Sequence, residues 1–178
     1  MTDSNPTERT LVLLRHGKAV PPDGVVDRDR PLTERGRADA VAAGAWLARH
    51  HLLPDVVICS PARRTRETWH AAASGLTGTS TEGAPGGPAP RIRYESSAYA
   101  AETADLLALL RSVEPTAGTV LLVGHNPAVS LLSIALDDGG ADRDGLPTGG
   151  VVVHRVTGPW SALGGAPAAV TAQGRAPY

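Results

Sequence analysis

The sequence predicts an α/β fold, a three-layer sandwich in which a mainly parallel central sheet lies between two layers of helices. Short apolar runs alternate with longer amphipathic segments along the 178 residues, the pattern of strands joined by crossover helices. A chain of this length can bury one substantial core, and we find no internal repeat. We therefore interpret residues 1–178 as a single domain with a polar tail at 1–9.

The strand candidates are short runs rich in Val, Ile and Leu. They lie at 10–14, 55–59, 91–95, 119–123 and 150–156, and a short edge strand is predicted near 168–172. Residues 77–90 consist of Gly, Pro and small polar residues without periodicity, so we predict a flexible surface loop there.

Four helices are predicted between the strands. The first follows Thr33, a residue type that suits a helix N-cap, and the second follows Pro61 and continues to about Ser74. The third covers 101–113, and the fourth follows Pro127. Both prolines suit the first turn of a helix, where a missing N–H removes no hydrogen bond.

Composition excludes several classes of function. The net charge is −1 and the arginines are interleaved with acids, so we expect no nucleic-acid partner. No apolar run approaches the roughly 20 residues of a membrane helix, and the polar first residues do not resemble a signal peptide. Cys59 is the only cysteine, so an internal disulfide is excluded. We expect a soluble cytoplasmic protein, and nothing in the sequence requires more than a monomer.

The residues that follow three predicted strands share one chemistry. The first strand is followed by Arg15-His16-Gly17, the second by Ser60-Pro61-Ala62-Arg63-Arg64 and the fourth by Gly124-His125-Asn126. Ligands of open α/β sheets bind outside the carboxyl ends of the strands, so these groups are expected to converge. Arginine forks bind phosphate oxygens, and a neutral imidazole can attack phosphorus. The set therefore predicts a phosphate site with covalent catalysis.

Other residue types support no competing site. None of the six histidines stands at a metal-ligand spacing from Asp, Glu or Cys, so we predict no metal and no other cofactor. Ser60 lacks the G-x-S-x-G context of a serine hydrolase nucleophile and is followed by proline.

Four motifs, LLRHGKA, RPLTERGR, CSPARRTRET and LLVGHNP, occur in this order between about Thr10 and Leu163. They resemble the histidine phosphatase superfamily, whose fold is that of phosphoglycerate mutase. The DRDRPLTERG segment, the late LPTGGVVVHRV segment and the short length more specifically resemble SixA-type phosphohistidine phosphatases. The resemblance implies a hydrolase that works through a phosphorylated histidine.

The resemblance also implies the roles of individual residues. His16 would be the nucleophile, Arg15 would hold the phosphate beside it, and His125 would be the second histidine of the phosphate pocket. In the family's S-P-x-x-R-x-x-x-T pattern the arginine aligns with Arg64 and the threonine with Thr68. The general acid of larger members has no clear counterpart. Its candidates here are Glu95 and Glu102, of which the latter also suits the first turn of a helix.

Further residues are candidates for substrate binding: Gly17, Arg30, Asn126, Tyr99 and Glu102. Gly17 is expected to let the backbone pack close to the His16 ring, and a backbone carbonyl there is expected to fix the ring tautomer. The DRDR segment is interpreted as a solvated loop with local ion pairs, with Arg30 or Asp29 at the rim of the pocket as the alternative.

Three functions remain open. The first is hydrolysis of phosphohistidine on a protein such as a histidine phosphotransfer domain, which an open pocket without long insertions would suit. The second is a small-molecule phosphomonoesterase, and the third is a phosphate-binding module without turnover.

Overall fold

One six-stranded sheet flanked by four helices makes up the described part of the chain. The computed structural model describes residues 8–78 and 88–178. The strands are Glu8–Arg15 (β1), Val56–Cys59 (β2), Arg91–Tyr94 (β3), Thr119–Gly124 (β4), Val151–Thr157 (β5) and Val170–Gly174 (β6). The helices are Glu34–Arg49 (α1), Arg63–Gly78 (α2), Thr103–Arg111 (α3) and Ala128–Leu136 (α4). Short 3₁₀ turns lie at Asp27–Asp29, Ser96–Ala98 and Trp160–Ala162.

The strand order places the functional strand ends together. The order is β3-β2-β4-β1-β5-β6, in which β3, β2, β4 and β1 run parallel to one another. β5 runs antiparallel to β1, and β6 antiparallel to β5. The mainly parallel sheet is therefore confirmed, and the carboxyl ends of β1, β2 and β4 meet at one edge.

The two faces of the sheet bury separate apolar clusters, which explains the three layers. Leu11 and Leu13 of β1 pack with the cluster that includes Leu106 and Leu132 of α3 and α4. Val12 and Leu14, which alternate with them along β1, belong to a second cluster on the other face, together with residues of α1 and α2. Side chains alternate across a strand, and each fully buried leucine contributes about 1.5–3 kcal/mol.

Several element boundaries differ from the predictions. Thr33 is the N-cap of α1 as predicted, and its side chain accepts from Gly36 N–H. Pro127 is the N-cap of α4, and Pro61 lies two residues before α2, so neither stands inside the first turn. β6 begins at Val170, because Ala168 is bonded elsewhere. Its N–H donates to Leu136 O at the end of α4.

The predicted tail and loop fall largely outside the described residues. Of the loop at 77–90, residues 77–78 complete α2 and 88–90 lead into β3, and the remainder is not described. Of the tail at 1–9, residues 8–9 begin β1.

α1 and α2 pack at very short range through glycines. A Cβ added at Gly75 of α2 would lie 2.0 Å from Val41 O, and one added at Gly44 of α1 would lie 1.9 Å from Ala72 O. Backbone atoms cannot move aside as a flexible side chain can, so these glycines set the distance between the two helices.

We predict that Gly75→Ala lowers the free energy of unfolding by about 1–3 kcal/mol, because the added methyl group forces α1 and α2 apart. Denaturant unfolding measures the change. Gly78→Ala in the same helix is the matched control, since nothing lies within 4 Å of the Cβ it would add. Equal stabilities of the two variants would contradict the close approach.

Candidate active site

Two histidines from different strand ends face each other at the carboxyl edge of the sheet. His16 follows β1 and His125 follows β4, and their ring centroids lie 5.3 Å apart with the planes tilted by 57°. The parallel pairing of Arg15 with Gly124 sets this proximity, because each histidine is the next residue of its chain. The structure thus brings together the histidines that the sequence singled out.

The His16 ring is held in one tautomer. Its Nδ1 lies 2.8 Å from Gly17 O. A carbonyl oxygen only accepts, so Nδ1 donates its proton and the lone pair is on Nε2. This agrees with the tautomer expected from the sequence and identifies Nε2 as the atom able to attack phosphorus.

Gly17 makes a further close contact besides the one with the His16 ring. A Cβ at this position would lie 2.5 Å from Gly36 O, so the glycine also makes room for α1. Gly17 N–H donates to Thr68 Oγ1 at 3.0 Å, and that hydroxyl donates to Arg64 O at 2.7 Å. The backbone after β1 is therefore fixed between α1 and α2.

Two arginines supply the positive charge of the site. Arg64 lies in the first turn of α2 with 7% of its surface exposed, and Arg15 Nη1 donates to Leu146 O at 2.9 Å. Three buried polar atoms of the site have no hydrogen-bond partner among the described residues: Arg15 Nε, Arg64 Nε and His125 Nδ1. Buried polar groups normally find partners, so their clustering marks a place suited to an anion.

Burial keeps both histidines neutral. Desolvation, together with the charges of Arg64, Arg15 and Arg30, lowers the pKa of His16 to about 4. Desolvation, together with His16 and Arg64, lowers the pKa of His125 to about 3. At neutral pH the His16 lone pair is therefore available for attack.

Ser60 orients His125, a role that the sequence did not suggest. Its hydroxyl lies 2.8 Å from His125 Nε2, and it also accepts from Ala62 N–H at 3.3 Å. Ser60 is fully buried at the end of β2. It therefore positions the ring.

Asp27 is the second residue that sequence reasoning missed. Its Oδ2 accepts from Arg64 Nη2 at 3.1 Å and from Tyr99 Oη at 2.7 Å, and its Oδ1 accepts from Arg30 Nη1 at 3.0 Å. Its backbone oxygen accepts from Arg64 Nη1 at 2.7 Å. The hydrogen bonds from Tyr99, Arg30 and Arg64 hold the pKa of this carboxyl well below its usual range. The DRDR run contained it, but nothing in the sequence distinguished it from Asp29.

The other candidate residues fall into two groups. Tyr99 and Arg30 lie at the site, since the Tyr99 ring is edge-on to His125 with centroids 5.7 Å apart and Arg30 bonds Asp27. The Asn126 amide instead bonds to residues outside the site. Its nitrogen donates to Leu146 O at 2.9 Å, and its oxygen accepts from Ser130 Oγ at 2.6 Å.

The two glutamates considered as general acids lie in other contacts. Glu95 pairs with Arg93 at 2.8 Å, and Glu102 is the exposed N-cap residue of α3. In the described residues neither carboxylate has a hydrogen bond to the histidines or arginines of the site. Their participation in catalysis stays a prediction.

Residues 8–78 and 88–178 contain neither a metal-binding cluster nor a membrane-spanning helix. No group of three or more His, Cys, Asp or Glu is placed there to hold a metal ion. No helix in those ranges is long and apolar enough to span a membrane.

Comparisons with known proteins agree with this geometry. A family model described as the histidine phosphatase superfamily (branch 1) matches residues 11–84. An uncharacterized protein of Mycobacterium tuberculosis is 36% identical over 156 residues, which cover 83% of this chain and 90% of that protein. A solved structure from Nakamurella multipartitia, assigned as the phosphohistidine phosphatase SixA, is 34% identical and covers 94% of this chain and 96% of its own, with a TM-score of 0.79. One from Agrobacterium tumefaciens with the same assignment is 28% identical over 85% and 95%, with a TM-score of 0.67.

The chain therefore belongs to the histidine phosphatase superfamily and, within it, to the SixA type. It is a hydrolase of the phosphatase class. The sequence-based assignments of family, fold and enzyme class are confirmed, and the silent phosphate-binding module is disfavoured.

We predict that the His16 ring in the folded protein stays neutral as the pH falls to about 4. The same ring in the unfolded chain takes up its proton near the ordinary value of 6.5. The unfolded state then binds more protons than the folded state in this interval, so stability is lost as the pH falls from 6.5 towards 4. NMR titration of the imidazole signals, assigned with His16→Ala, measures the pKa. A ring that titrates near 6.5 in the folded protein would contradict the burial argument.

We predict that Asp27→Asn strengthens inhibition by inorganic phosphate, because the carboxylate competes with phosphate for Arg64. The expected gain is about 0.5–1 kcal/mol, or a two- to fivefold lower inhibition constant, as for a partly exposed ion pair. Inhibition kinetics at constant ionic strength measure it.

Asp29→Asn is the matched control for this experiment. It removes the same charge from the same turn, but the Asp29 carboxylate has no hydrogen bond or ion pair within the described residues. A weaker or unchanged affinity in Asp27→Asn would show that the carboxylate orients Arg64 rather than competing with phosphate.

Proposed function

We propose that the protein hydrolyses phosphohistidine on a protein substrate, such as a histidine phosphotransfer domain in cytoplasmic bacterial signalling. His16 carries the phosphoryl group between substrate and water. Arg15, Arg64 and His125 stabilise the transferred group, and Arg30 and Tyr99 act at the rim. The phosphatase class follows from the family, whereas the phosphohistidine substrate is our own inference.

The first step transfers the phosphoryl group to the enzyme. The lone pair of His16 Nε2 forms a bond to phosphorus while the bond between phosphorus and the substrate imidazole nitrogen breaks. The bonding electron pair stays on that nitrogen. If the other nitrogen of the substrate ring carries a proton, the leaving group departs as neutral imidazole.

The second step regenerates the enzyme. Water attacks phosphorus and the bond to His16 Nε2 breaks, with the electron pair returning to Nε2. Inorganic phosphate keeps the water oxygen and one of its protons, and the other proton passes to solvent. The guanidinium groups of Arg15 and Arg64 neutralise charge on the phosphoryl oxygens in both steps. Positioning and electrostatics of this kind supply most of the catalysis in phosphoryl transfer.

The ionisation state of the Asp27 carboxylate is the observation that supports the proposal most directly. Asp27 is held ionised by Arg64, Arg30 and Tyr99, and an ionised carboxylate cannot donate a proton to a leaving group. An alkyl phosphate releases a strongly basic alkoxide and needs such a donor. Phosphohistidine does not, because its ring is protonated at a nitrogen remote from the breaking bond.

Exposure at the rim is consistent with a phosphate carried on a protein. Residues 21–29 are all exposed, and His16 and His125 are each only partly buried. Residues 21–29 reach the site through Asp27, which accepts hydrogen bonds from Arg64, so this segment borders the pocket on one side. A side chain projecting from a folded partner would approach from the other side.

We predict that the wild type releases phosphate from a phosphohistidine-bearing phosphotransfer domain much faster than from an aryl phosphate, and that His16→Ala is inactive on both. Phosphate release under single-turnover conditions measures the two rates. His70→Ala, an exposed histidine of α2, is the control and retains full activity.

Two outcomes would contradict parts of the proposal. Comparable turnover of the aryl phosphate would favour the small-molecule phosphomonoesterase while retaining the nucleophile. Full activity of His16→Ala would refute the assignment of the nucleophile.

A further inference from the structure

A small cavity lies beside the phosphate site, on the Tyr99 side of His125. Its volume is about 190 Å³. It is bounded by the turn that precedes α3, by Leu106 of α3 and by the start of α4. The lining residues are Ala98, Ala100, Ala101, Leu106, His125, Asn126, Pro127 and Ala128.

No Asp, Glu, Lys or Arg lines this cavity, and all the lining side chains except those of Asn126 and His125 are hydrocarbon. Of its two polar residues, Asn126 has its amide engaged by Leu146 and Ser130, away from any ligand. His125 is the other, and it also belongs to the phosphate site. The cavity therefore shares His125 with the phosphate site and lies next to it.

The alanines of the turn make the space. A larger side chain at Ala98 or Ala101 would fill it, and Ala100 holds φ at 53°, a left-handed conformation that alanine rarely adopts. Tyr99 lies between these alanines in sequence and bonds Asp27 instead of entering the cavity. Adjacent residues of this turn therefore do two different things. Tyr99 makes a polar contact with Asp27, and the alanines on either side of it line the cavity.

We infer that this cavity is the leaving-group subsite and that it takes a flat ring bonded directly to the phosphoryl group. This inference rests on the proposed function, since the ring it accommodates is the imidazole of phosphohistidine. An apolar cavity of about 150 Å³ accommodates benzene, so a five-membered ring fits the volume available here.

The subsite also stabilises the products of the first step. When the bond between phosphorus and nitrogen breaks, the departing imidazole is neutral, and an apolar wall solvates a neutral ring better than a charged one. The ring leaves a few ångströms from His125 while the phosphoryl group remains on His16.

The test fills the cavity and compares leaving groups with and without a ring. Ala101→Leu is assayed on a phosphohistidine-bearing protein and on phenyl phosphate, both with ring leaving groups, and on phosphoramidate, whose leaving group is ammonia. Ala104→Leu, at an exposed position of α3 three residues further along the chain, is the matched control. Thermal unfolding confirms that both variants are folded.

We expect Ala101→Leu to lower kcat/KM by about tenfold or more on both ring substrates and to change it by about twofold or less on phosphoramidate, as for a blocked apolar subsite. Ala104→Leu is expected to behave as the wild type. Equal losses on all three substrates, or no loss on the ring substrates, would overturn the subsite.

The outcomes separate this inference from the proposed function. If the wild type does not act on phosphohistidine but Ala101→Leu still selectively loses phenyl phosphate, the subsite stands and the proposed substrate falls. If the wild type prefers phosphohistidine and Ala101→Leu retains that activity, the proposed substrate stands and the subsite falls.

Discussion

The hydrogen bond from His16 Nδ1 to Gly17 O is the interaction on which the rest of the site depends. It places the lone pair on Nε2, and it works only if the Gly17 carbonyl is itself fixed. That carbonyl is fixed because the Gly17 backbone is packed against Gly36 of α1 and bonded to Thr68 of α2. The packing of the first two helices therefore reaches directly to the nucleophile.

The charges of the site serve two opposing needs. Binding a phosphoryl group requires positive charge, and the same charge together with burial lowers the pKa of His16 and keeps the ring unprotonated. Asp27 offsets part of that positive charge at the rim, where it is shared by Arg64, Arg30 and Tyr99. The result is a pocket that is cationic at the phosphate and neutral at the attacking atom.

The sequence predicted those parts of the molecule that depend on local pattern. The apolar runs identified the strands, and the residues after β1, β2 and β4 identified the histidines and arginines, because parallel strands end at one edge. The contacts of Asp27 and Ser60 were not predictable, since each joins segments distant in the chain. The contact of Gly17 with α1 was also not predicted, because the position of α1 against the residues after β1 is a tertiary property.

The placement of the nucleophile also has a consequence for how the enzyme is made. β1 pairs with β4 and β5 but not with β2. The strand that precedes His16 therefore cannot be paired until segments synthesised much later have emerged. Loop closure over such separations is slow, and parallel pairing is favoured only once the connecting helices have docked. A nascent chain that has emerged only as far as α3 holds His16 and Arg64 but lacks β4 and His125. The complete reactive centre is thus acquired only when the last third of the chain has folded onto the first strand.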